Sequence, residues 1–110
     1  MNYLIVAKTI LAQLGGNRFR VMTGARGFAG TENSLTFRFP GSRGGINAVR
    51  VTLNGLDLYN VIYWRVRGTK IKTVAESSGL YADMLQDDFT EKTGLETSLG
   101  TCGATEKREG

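Results

Sequence analysis

The spacing of apolar residues changes twice along this chain, and that double change is what most restricts its fold. Over residues 2–14, Leu4, Ala7, Ile10, Leu11 and Leu14 recur at the interval of one helical face, and Gly15-Gly16 supplies a stop. The period then becomes two. Phe19 and Val21 alternate with Arg18 and Arg20; Leu35, Phe37 and Phe39 with Ser34, Thr36 and Arg38; and Val49, Val51 and Leu53 with Arg50 and Thr52. Between residues 78 and 92 the helical interval returns, with Tyr81, Met84, Leu85 and Phe89 on one stripe and Gly94 behind it.

Punctuation between these segments is short. The glycine-bearing residues 24–30 read as a loop, Pro40 ends the second strand because it cannot donate to a ladder, and residues 41–45 are a flexible connection. Asn54-Gly55 marks a turn, residues 58–67 form an aromatic, β-branched fourth strand, and Arg67-Gly68-Thr69 reverses the chain into a fifth over residues 69–74. The expectation is an α+β fold: a five-stranded antiparallel meander with an N-terminal and a C-terminal helix packed on one face. A length of 110 residues suits a single domain, expected over 1–99, and residues 100–110 carry no large apolar side chain and are expected to form a tail.

Several chemistries are hard to build from this composition. Cys102 is the only cysteine and there is no histidine, which disfavours an internal disulfide, a zinc site and a histidine base. No apolar run approaches the roughly 18 residues of a membrane span, and the N-terminus lacks a secretory signal pattern, so a cytoplasmic protein without a membrane partner is expected. Residues 24–30 with Arg26, and 41–45 with Arg43, could offer backbone amides to a phosphate, but neither has the ending of a phosphate-binding loop. Asp83 and Asp87, with Asp88 and Glu91 nearby, read as a solvated helix face rather than a cation site. The expectation is a protein that is not an enzyme and has no cofactor or metal.

Charge is distributed very unevenly. Residues 1–75 carry eleven lysines and arginines against only Glu32 and Asp57, a net +9, whereas residues 76–110 carry three against eight carboxylates, a net −5. If the apolar set, including Ile62, Trp64 and Val66, faces the helices, strand alternation sends Arg18, Arg20, Arg38, Arg50, Arg65 and Arg67 to the opposite face. Tyr59 and Tyr63 share the parity of the last two, Lys70 and Lys72 adjoin them, and Arg26 and Arg43 lie in the glycine loops. Guanidinium groups pair with phosphate and tyrosines stack on bases, so this set is expected to contact DNA or RNA, single-stranded forms included. The plainer reading is an ordinary solvated sheet face whose cations discourage aggregation.

Four stretches carry a resemblance: Ala7-Lys8-Thr9-Ile10-Leu11-Ala12-Gln13-Leu14-Gly15-Gly16-Asn17-Arg18-Phe19, Met22-Thr23-Gly24-Ala25-Arg26, Asn33-Ser34-Leu35-Thr36-Phe37-Arg38 and Tyr81-Ala82-Asp83-Met84-Leu85. Together they resemble a widespread family of small proteins, of unassigned activity, from tailed bacteriophages and mobile elements. The resemblance implies a phage-like origin and a host-cytoplasm setting, but no site. Expected roles are therefore a nucleic-acid-binding accessory protein, an adaptor or inhibitor acting on a host protein, or a virion assembly component. An open sheet with two edges also permits a homo-oligomer.

Overall fold

The computed structural model describes residues 4–95, and the expected tail at 100–110 with Cys102 lies outside them. Two helices, α1 (Leu4–Leu14) and α2 (Gly16–Thr23), lead into β1 (Arg26–Gly30), β2 (Ser34–Arg38), β3 (Ala48–Leu53), β4 (Tyr59–Arg67) and β5 (Lys70–Leu80); after a 3-10 turn at Ala82–Met84 comes α3 (Leu85–Thr93). The strands pair antiparallel in the order β1-β2-β3-β4-β5, so the expected α+β meander is present.

The main departure lies after Gly15. Residues expected to begin the sheet form α2 instead, and the first strand comes from residues expected to be a loop. In a helix, Phe19 and Thr23 fall on one face, and both are buried; Val21, the next residue of the strand pattern, is 74% exposed. Thr23 Oγ1 donates to the Phe19 carbonyl at 2.7 Å, and the left-handed Gly24 closes the helix by donating to the Arg20 carbonyl at 2.9 Å. Beyond it, Gly27 takes a positive φ of 67° where the β1–β2 register slips, which is how a five-residue segment with two glycines pairs as a bulged edge strand.

A second departure is the facing of β4. Tyr59, Val61 and Tyr63 stand opposite Leu53, Val51 and Val49 and are buried with them, leaving Ile62, Trp64 and Val66 on the uncovered face. Apolar residues occupy both parities of this strand, so alternation is ambiguous and register with β3 decides. At the C-terminal end, β5 runs on to Leu80, and Tyr81 and Met84 are exposed at the start of the helical region. Leu85 and Phe89 are the buried apolar residues of α3, beside the buried Asp88 and Thr93.

All the helices lie on one face. Phe19, Phe37, Phe39 and Phe89 meet there with centroid separations from 5.1 to 6.2 Å, mostly edge to face. Each fully buried ring of this kind contributes about 1.5–3 kcal/mol. One buried carboxylate joins α3 to the sheet: Asp88 accepts from the Tyr63 hydroxyl at 2.6 Å, Ser77 Oγ at 2.8 Å and Lys92 Nζ at 3.2 Å. Asp88 is thus a satisfied core group and not part of an exposed acidic stripe. Among the described residues no helix is long and apolar enough to cross a membrane.

Candidate nucleic-acid interface

The basic residues do not gather on one sheet face. Only Arg26, Arg38 and Arg50 share the uncovered face. Arg18 and Arg20 sit on α2, because that segment is helical, and Arg20 lies over the Phe28 ring at 5.6 Å. Tyr59 and Tyr63 are core residues, so neither offers bases a stacking platform on the open face. Arg65 and Arg67 keep the tyrosines' parity, as expected, but that parity belongs to the helix-covered side. Arg67 is exposed there, and Arg65 is half-buried against the loop at Gly45.

Arg43 has a structural task. Its Nη1 donates to the Glu91 carbonyl at 3.0 Å, close to the C-terminus of α3, where a guanidinium satisfies an orphan acceptor and faces the negative end of the helix dipole. A Cβ added at Gly94 would fall 3.2 Å from Arg43 Nη2, so the glycine that ends the helix also admits this side chain.

What the register does bring together is an end of the sheet. Arg26 stands directly opposite Arg38 across β1–β2, Arg65 opposite Lys72 and Arg67 opposite Lys70 across β4–β5. In a meander, the β2–β3 and β4–β5 connections share one end with the start of β1; the three opposed pairs lie there. The other end holds the β1–β2 turn with Glu32 and the β3–β4 loop with Asp57, the only carboxylates of the first 75 residues. Within residues 26–72 the two carboxylates thus stand apart from the three cation pairs, while Glu91 of α3 lies beside Arg43 at the basic end.

None of these cations has a carboxylate partner among the described residues. The ion pairs among the described residues involve Lys92 alone, with Asp88 and Glu91. Like charges placed directly opposite on adjacent strands destabilise a sheet, by a few tenths to about 1 kcal/mol for a pair. Beside the first pair, Arg26, Gly27, Arg38, Phe39, Pro40 and Asn47 line an open cleft of about 590 Å³.

Trp64, expected in the core, lies instead on the uncovered face with the Arg50 guanidinium 5.3 Å from its ring centroid. Its neighbour across β3 is Ala48, whose small side chain is 3% exposed. Arg50 Nε also donates to Thr36 Oγ1 at 3.2 Å, which fixes the guanidinium on the ring. Pairing β4 to β3 in the correct register would have revealed this cluster; alternation within β4 could not. Asn47 was also missed: its side chain accepts from the Val66 amide at 2.8 Å and donates to the Val66 carbonyl at 3.0 Å, bracing β4 beyond the last residue paired with β3. No protein-family model, curated protein or solved structure matches the chain.

Proposed function

We propose that this chain is a non-enzymatic protein that binds nucleic acid through the basic end of its sheet. The observation that supports the reading is the set of three directly opposed cation pairs, Arg26 with Arg38, Arg65 with Lys72 and Arg67 with Lys70, none held by a carboxylate among the described residues. Such pairs weaken the fold, and a phosphate between two guanidinium or ammonium groups reverses the sign of the interaction. The cations gathered at one end of the sheet raise the positive potential there, which draws a polyanion to it. For a chain resembling small phage proteins, phage or host nucleic acid is the corresponding ligand.

Fluorescence anisotropy with labelled DNA and RNA over about 50–200 mM salt tests this, because each neutralised phosphate adds about −0.9 to the slope of log K against log salt on B-DNA. Engagement of four or more of the end cations gives a slope near −4 or steeper. Arg26→Ser with Arg38→Ser should flatten the slope by about 2. Absence of binding at about 50 mM salt contradicts the proposal.

A further inference from the structure

The β4–β5 hairpin carries four of these cations, and its shape narrows the kind of nucleic acid. Trp64 is the last β4 residue paired with β3, so Arg65, Val66 and Arg67 run on with β5 as a two-stranded ribbon. At about 3.4 Å per residue these three residues span about 10 Å, with the Gly45 loop and Asn47 flanking Arg65 and Val66, and Arg67 with the turn projecting beyond them. A two-residue turn, Gly68-Thr69, closes it, and Gly68 at φ 59° provides the positive φ that a tight hairpin requires at its first turn position. Asn47 braces its root through both backbone groups of Val66, so the ribbon is a stiff projection rather than a loose loop.

The ribbon's two faces differ. Arg65, Arg67, Lys70 and Lys72 occupy one, and Val66 and Ile71 the other, with Ile71 65% exposed. An apolar side chain this exposed among cations gains nothing within the fold. The packing near Arg65 is also close: a Cβ added at Gly45, whose φ is 79°, would fall 2.7 Å from Arg65 Cδ, so a glycine there lets the connecting loop lie against the ribbon's root.

From these features we infer that the β4–β5 ribbon is an arm that enters the major groove of double-stranded DNA, a conclusion that rests on the nucleic-acid reading above. The B-form major groove is about 12 Å wide and 8.5 Å deep and accepts a two-stranded ribbon. Its walls are phosphates, which the cations meet, and its floor carries thymine methyl groups, which suit Val66 and Ile71. Arg26 and Arg38, on the same face as Val66 and Ile71, adjoin the DNA backbone beside the groove. The deep, narrow major groove of A-form RNA excludes such an arm. A single strand offers no groove, and with Tyr59 and Tyr63 buried neither gives it a stacking surface on the open face, where the Trp64 ring is covered by the Arg50 guanidinium.

The test compares the full chain on a 24-base-pair DNA duplex, its separate strand and an RNA duplex of the same sequence, with dimethyl sulfate probing of guanine N7 in the major groove. The expected result is at least tenfold tighter binding to the DNA duplex than to the other two, with N7 protection. Arg67→Ser with Lys70→Ser, at exposed positions and checked for an unchanged circular dichroism spectrum, should abolish the protection and reduce duplex affinity at least tenfold. Binding to all three ligands with equal affinity, or N7 protection that survives the double variant, overturns the arm while leaving nucleic-acid binding standing. Absence of binding to every ligand at low salt overturns both.

Discussion

At the scale of single residues, the strongest polar commitment is the Asp88 carboxylate with its three donors. Burial, and then the hydrogen bond to Asp88, push the Tyr63 phenol well above its ordinary value near 10. A raised folded-state value means that the neutral phenol stabilises the fold in full below about pH 10, and that this contribution drains as pH climbs above it. Chemical denaturation across pH 8–11 should therefore show stability level at first and falling beyond about pH 10. Tyr63→Phe should lower stability by about 1–3 kcal/mol at neutral pH, because Asp88 loses a donor, and should flatten the alkaline decline. Some decline remains through Tyr59, which burial and the nearby Asp57 also shift upward. Arg43→Ala should cost about 1 kcal/mol by urea denaturation, since it removes the guanidinium that caps α3.

Among the elements, α2 separates the helical account of residues 16–23 from a strand account. Phe19→Ala should destabilise by about 3–5 kcal/mol, as for other buried aromatic truncations. Val21→Lys, two residues away, should change stability by no more than about 0.5 kcal/mol, whereas in an alternating strand both would be core losses. The segment was hard to read because Arg18-Phe19-Arg20-Val21 satisfies period two, while the helical evidence is only Phe19 with Thr23 and the capping Gly24. α1, the termination of α3 at Gly94, β2 and β3 were legible because each shows one period and a clear stop. β4 was not, since Tyr59, Val61 and Tyr63 compete with Ile62, Trp64 and Val66, and the phenol of Tyr63 enters the core donating a hydrogen bond to Asp88, 25 residues away. Nothing local announces that partner. The candidate site followed suit: the cations were identifiable as a group, yet their sorting depended on which segment is a strand and on cross-strand register.

For the whole molecule, the meander sorts charge by end rather than by face. Strand connections alternate between the two ends, and Arg26, Arg38, Arg65, Arg67, Lys70 and Lys72 fall near one set and Glu32 and Asp57 in the other. Repulsion among unpaired cations at one end is screened by salt, so the melting temperature should rise between about 10 mM and 150 mM sodium chloride as the Debye length falls from about 30 to 8 Å. The central claim is that this end is the contact surface, and amide chemical-shift mapping during titration with a short DNA duplex tests it most directly. The account predicts shifts concentrated at residues 26–27, 38–40 and 65–72, with residues 31–33 and 54–58 unmoved. Shifts concentrated at 31–33 and 54–58, or no shifts at all with duplex in excess, would contradict it.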